Sequence, residues 1–188
     1  MPPLVLKDCW KGYTYDLDKA CAPEDTCVRV RKRFQQLHLD LLKQTLRIDS
    51  GRLDIPVYIS LCGVDAVRTI GTQKQMGKGF SPAQAEASAL MELVERFSFF
   101  SFLQRAAFIY CPAGRVDQDS LSFETLARSL FDTGPHLAKV AQLYLDWPLH
   151  FTPATNLTSG YEQLIPIYWF YLINEYNGPA AGNTLEEA

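Results

Sequence analysis

Apolar residues fall at helical spacing in several stretches of the 188-residue chain and cluster at strand length in others. In "APEDTCVRVRKRFQQL" (22–37), Val30, Phe34 and Leu37 recur along one side, and proline and acids open the run. This predicts a helix with an acidic first turn, which suits the helix dipole. "LDLLKQTLRI" (39–48) and "IPVYISLCGV" (55–64) are strand candidates, the second rich in β-branched and aromatic residues. "SLSFETLARSLF" (120–131) predicts a further helix with Ser120 as its cap. "HFTPATNL" (150–157) and "EQLIPIYWFYL" (162–172) flank the turn "TSGY" and predict a hairpin. Helices and hairpins without regular strand–helix alternation predict an α+β fold.

The longest periodic stretch is "GKGFSPAQAEASALMELVERFSFF" (77–100). Ser81 is a good N-cap, Pro82 suits the first helical position, and Gln84 completes a capping box. At about 100° per residue, Ala83, Ala87, Leu90, Leu93, Val94 and Phe97 share the side expected to face the core. Ser88, Glu92 and Glu95 share the opposite side, at spacing i, i+4, i+7, and Glu86 lies off that face.

Composition narrows the possibilities. Nearly half of the residues are apolar and charges of both signs are mixed, as in a globular domain. A net charge of −3 gives no reason to expect nucleic-acid or membrane binding, and no apolar run approaches the ~20 residues of a membrane helix. The basic cluster "RVRKRF" (29–34) is expected to be the solvated face of its helix. The N-terminus has no signal-peptide pattern. Five cysteines (Cys9, Cys21, Cys27, Cys62, Cys111) without a C-x-x-C pair favour reduced thiols in a cytoplasm and argue against a zinc site. His38, His136 and His150 show no ligand or triad spacing.

Two readings of the polar face of the long helix stand side by side. It is a solvated surface on which Glu92 pairs with Arg96 at i+4, or it is a site for a cation. No lysine accompanies the carboxylates, and Phe99 and Phe100 follow them. Two carboxylates one turn apart suit a hard cation, because Mg²⁺ takes oxygen ligands and commonly bridges to substrate phosphates. The preceding Gly77-Lys78-Gly79 lets backbone approach an anion, with Lys78 as a point charge. A Walker A loop is excluded, since Gly71 and Gly77 have the wrong spacing and Gly79 stands where Ser or Thr should follow the lysine. The Rossmann glycine fingerprint is missing as well.

"GNTLEEA" (182–188) repeats the pattern of "GFSPAQA" (79–85): G-x-[ST]-x-x-[EQ]-A, a glycine, a capping residue and its box partner. A helix of one turn is not stable alone, so the chain is expected to be a fragment. Such a fragment should leave apolar surface uncovered and associate through it, for instance as a homodimer.

Together these stretches resemble the YcaO family. The family's glycine-lysine-glycine followed by S-x-x-x-E-x-x-E-R matches "GKGFSPAQAEASALMELVER", and its N-G-x-A-A-G-N-T-x-E-E-A matches "NGPAAGNTLEEA". "DKACAPEDT" (18–26) looks like the family's lysine followed by P-E-x-T. The resemblance implies ATP and Mg²⁺ bound through acidic residues on helices, in a YcaO fold of which residues 1–188 are the N-terminal part of one domain. It implies Ser88, Glu92, Glu95, Asn183 and Glu187 as metal and triphosphate ligands, with Glu92, Glu95 and Glu187 at the metal. Lys19 and Thr26 match nucleotide-contacting positions, and Lys78 joins them as the point charge. The implied activity is ATP-dependent phosphorylation of a peptide backbone amide, of the cyclodehydratase, thioamide or amidine type. The implied partner is a peptide or protein substrate. The alternative is an ATP-binding accessory factor that assists a separate enzyme in methylthiolation of a ribosomal protein.

Overall fold

The computed structural model describes residues 4–12, 19–116, 119–129, 134–175 and 177–188. The chain divides into two compact units, Leu6–Arg105 with Pro179–Ala188, and Met1–Val5 with Ala106–Gly178.

In the first unit, helix α1 (Pro23–Gln36) starts with a proline in its first turn beside Glu24 and Asp25 and ends near Arg33, as the dipole favours. Strands β1 (Leu42–Arg47), β2 (Val57–Cys62) and β3 (Lys74–Lys78) form an antiparallel sheet in that order, with helix α2 (Val64–Ile70) between β2 and β3 in sequence. Helix α3 (Pro82–Arg105) packs against this sheet and against α1. Ala87, Leu90 and Leu93 join Val30, Phe34, Leu41 and Cys62 in the core, with Val94 and Phe97 partly buried against it.

The single apolar stripe expected for α3 is therefore incomplete. Ala85 and Ala89 are also fully buried, on the side of the helix that meets the sheet. Ser60 Oγ donates to Ala89 O at 2.9 Å across that contact. The approach is close enough to dictate Gly77, where a Cβ would lie 2.1 Å from Ala89 N and 2.5 Å from Ala85 O. Gly77 thus brings strand β3 close to its helix. A Cβ on Gly79 would likewise lie 2.5 Å from Gln84 Cβ.

The basic cluster of α1 is more than a solvated face. Arg31 pairs with Glu86 of α3, whose carboxylate also accepts from Thr45 Oγ1 at 2.6 Å, and Arg29 Nη2 donates to Asn183 O at 3.2 Å. Long guanidinium side chains reach partners that sequence spacing does not reveal.

In the second unit, β4 (Ile109–Pro112), β5 (Pro148–Thr155) and β6 (Glu162–Pro166) form another antiparallel sheet. Helices α4 (Phe123–Ala127) and α5 (Leu137–Asp146) contribute Phe123, Leu126, Ala127 and Tyr144 to its core. The cap of α4 is Ser122, whose side chain accepts from Thr125 N, while Ser120 pairs with Leu164 as a bridge. Residues 130 and 131 of the predicted helix lie outside the described residues.

The predicted hairpin forms between β5 and β6, but its second arm is shorter than expected. From Ile167 to Asn174 the apolar run is helix α6. Its Trp169 stacks edge-on against Tyr144 and Phe123, at ring distances of 5.8 Å and 6.3 Å, so burial overrides the β-propensity of the run. Helices α2 and α5 and strands β3 and β4 had no counterpart in the sequence pattern. No helix among the described residues is long and apolar enough to cross a membrane.

Candidate functional site

A cavity of about 650 Å³ lies in the first unit, a size usual for small-molecule sites. Lys19, Thr26, Lys78, Ser88, Glu92, Glu95, Asn183 and Glu187 all line it. They arrive from four places: the segment before α1 and its first turn, the end of β3, one face of α3, and the turn at 183–187.

The α3 carboxylates are held by different means. Glu92 Oε2 accepts from Met76 N of β3 at 3.1 Å, and its Oε1 lies 3.8 Å from Arg96 Nη2. Glu95 Oε1 lies 3.5 Å from Arg96 Nη1. Burial raises the Glu95 pKa, the Arg96 charge partly offsets that, and neighbouring Glu92 adds to the rise, leaving the carboxyl above its ordinary range.

Glu187 is fixed most firmly of the three, with a side chain only 7% exposed. It accepts from Ala20 N at 3.0 Å and from Asn183 Nδ2 at 3.2 Å and 3.3 Å, and lies 3.7 Å from Lys19 Nζ. Burial opposes its ionisation, but the Ala20 N–H, the Asn183 donors and the Lys19 charge outweigh burial and hold the pKa below the usual range. Thr26 is buried, and its hydroxyl lies 3.2 Å from Ala22 O and 3.1 Å from Asn183 Oδ1, which share its one proton. That places Thr26 behind Asn183 as a support.

The donor set facing the cavity consists of hydroxyl, amide and carboxylate oxygens, the chemistry of a hard cation. Among the described residues no group of three or more His, Cys, Asp or Glu side chains is gathered closely enough to hold a metal by itself. The oxygen donors fit Mg²⁺, which commonly takes one or two carboxylates and completes its shell with water and phosphate oxygens, whereas the three carboxylates expected at the metal, Glu92, Glu95 and Glu187, do not form such a group.

Arg96, Cys21, Phe80, Gln84 and Met91 also line the cavity, and the sequence pattern assigned them no part in a site. Arg96 was visible only as an i+4 partner of Glu92. The others carry no spacing signal, because their placement depends on how β3 and the segment before α1 meet α3.

Residues 76–188, well over half of the chain, match the profile of a family described as "YcaO cyclodehydratase, ATP- and Mg²⁺-binding". The chain belongs to the YcaO family. ATP and Mg²⁺ are that family's ligands, and its matched region contains every α3 and C-terminal residue that lines the cavity. No curated protein matches the chain.

Among solved structures, one similar to this YcaO chain is a heterocyclase in complex with substrate and cofactor. It is 18% identical with a TM-score of 0.59, over 87% of this chain and 24% of that one. Another is YcaO from Methanopyrus kandleri bound with AMPPCP and Mg²⁺, 20% identical with a TM-score of 0.49, over 79% of this chain and 32% of that one. The chain thus spans about a quarter and a third of the lengths of these two structures. The α+β arrangement expected from the sequence is that of the YcaO fold.

Proposed function

We propose that this chain carries the ATP and Mg²⁺ site of an enzyme that activates peptide backbone amides by phosphorylation. The observation that supports this reading is the convergence of Lys19, Thr26, Lys78, Ser88, Glu92, Glu95, Asn183 and Glu187 on one cavity of a YcaO chain. Glu92 and Glu95 would hold the metal, while Glu187, bonded to Asn183 and close to Lys19, would orient those two toward the nucleotide. Lys19 and Lys78 would face the triphosphate, and Asn183 is held in place for it by Thr26 and Arg29. Bound Mg²⁺ would neutralise charge on the transferring phosphoryl group.

In the proposed reaction a nucleophile adds to the carbonyl carbon of the substrate amide. The resulting oxyanion attacks the γ-phosphorus of ATP, the bond to the β–γ bridging oxygen breaks, and ADP leaves. The former carbonyl oxygen then departs with the phosphate, and a proton is lost as the new C=N or C=S bond forms. The site's contribution is positioning and charge stabilisation, because phosphoryl transfer demands little covalent chemistry from the protein. All five cysteines are free thiols, which supports a cytoplasmic location.

The test follows the oxygen. With the protein that carries this chain, ATP and a candidate peptide labelled with ¹⁸O at the reacting carbonyl, mass spectrometry should find the label in the released phosphate. ATP hydrolysis that leaves the label in the peptide rejects amide activation.

A further inference from the structure

Arg96 stands between the two carboxylates of α3. Its guanidinium lies 3.8 Å from Glu92 through Nη2 and 3.5 Å from Glu95 through Nη1, on the wall of the same cavity. The side chain is 18% exposed, so the charge is largely withdrawn from water and poorly screened. Both contacts exceed the about 2.7–3.2 Å of an N–H···O hydrogen bond. Arg96 therefore balances the charge of two anions without occupying the oxygen atoms that a metal would take.

That arrangement has opposite consequences for the two ligands of the site. A fixed cation a few ångströms from a metal position repels a divalent ion that arrives alone. The same cation attracts a triphosphate, and it lines the same cavity as Lys19 and Lys78. We propose that Arg96 is a positioning residue that makes metal loading depend on the nucleotide: it is the counter-ion of Glu92 and Glu95 until Mg²⁺ enters with its triphosphate, and it then serves that triphosphate as a third cation. The inference rests on the nucleotide-site reading above. Free divalent cation is held off, and the metal–nucleotide complex, which carries its own negative charge, is accepted.

Arg96→Met removes the charge and keeps most of the stem, while Arg96→Lys keeps the charge. Binding of Mn²⁺ alone is read by electron paramagnetic resonance, and binding of ATP in excess chelator is read by calorimetry. In Arg96→Met, Mn²⁺ alone should bind about tenfold more tightly and metal-free ATP about tenfold more weakly, a change of opposite sign for the two probes. Arg96→Lys should stay within about threefold of the unsubstituted chain for both. Should Arg96→Met fail to fold, Arg96→Gln takes its place with the same expectation. Both affinities falling together would mean that Arg96 only supports packing, and no change in either would mean that it is uncoupled from the site; each result overturns the proposal. If the unsubstituted chain binds neither probe, the nucleotide-site reading fails and this inference fails with it.

Discussion

Residues 79–85 and 182–188 share one sequence pattern and build one kind of turn. In the first, Ser81 Oγ accepts from Gln84 N at 3.2 Å; in the second, Thr184 Oγ1 accepts from Glu187 N at 3.2 Å. Each turn closes over its leading glycine, where a Cβ would lie 2.5 Å from Gln84 Cβ or 2.9 Å from Glu187 Cβ. The side chain of the sixth residue separates them. Gln84 Oε1 turns back on its own turn, accepting from Phe80 N at 2.9 Å and Ser81 N at 3.3 Å. Glu187 also bonds Asn183 of its own turn, but it reaches out of the turn as well, to Ala20 N and to Lys19. A neutral amide closes only its own turn, whereas a carboxylate in the same place closes its turn and also reaches a cation and a backbone amide across the chain. The backbone pattern sets the turn, and the chemistry of one position decides whether it serves the helix or the site.

The largest difference between the two turns should appear at their glycines. Gly79→Ala forces a methyl group against Gln84 Cβ and, at 2.8 Å, against the backbone N of fully buried Ala85. Thermal or denaturant unfolding should report a loss of about 1–3 kcal/mol. Gly182→Ala meets Ala188 N at 2.6 Å, but the turn it faces carries polar Glu187 and a Leu185 that is 58% exposed, where Gly79 faces fully buried Ala85. Its loss should be clearly smaller. Equal losses would show that the two turns are packed alike after all.

A smaller effect separates the sixth positions by pH. The Glu187 pKa is lowered in the fold, so the carboxylate stabilises the folded state above the unfolded value of about 4.3, and this contribution fades as pH falls through the lower folded value. Glu187→Gln should therefore be less stable than the unsubstituted chain near neutral pH, with the gap narrowing below about pH 4.3. Gln84 has no titrating group, and Gln84→Ala should show a deficit with no such pH dependence. A Glu187→Gln deficit that is constant from pH 7 to pH 3 (about the span of carboxylate titration) would contradict the ionic role.

What the sequence conveyed depended on how far apart in the chain the cause lay. Helices α1 and α3, strands β1 and β2 and the β5–β6 turn are encoded by local spacing and caps, and they formed where the pattern put them. The second buried face of α3 was hidden because alanine at 85 and 89 carries little hydrophobic signal, although each is fully enclosed. Strand β3 escaped for a similar reason: its buried positions are Gln75 and Gly77, so the usual apolar alternation is absent. The run after Pro166 reads as strand in the sequence and is helix, since a short continuous apolar stretch suits either until its packing partners are known. At the site, the α3 residues followed from helical periodicity. Lys19, Thr26, Asn183 and Glu187 followed from the family resemblance. The roles of Arg29, Arg31 and Arg96 depend on contacts made by long side chains, and only the folded chain displays them.

The central claim is that the acidic face of α3 is a metal–nucleotide site, and Glu92 tests it most directly. Glu92→Gln keeps size and helix propensity and can still accept from Met76 N, so unfolding without ligand should shift by no more than about 0.5 kcal/mol. It removes one of the two negative charges that would hold Mg²⁺ on α3. Calorimetric titration of Mg-ATP into the chain should give saturable binding, weakened at least about tenfold in Glu92→Gln. Equal Mg-ATP affinity in the two proteins, at unchanged folding stability, would contradict the account and leave the polar face of α3 as a helix surface.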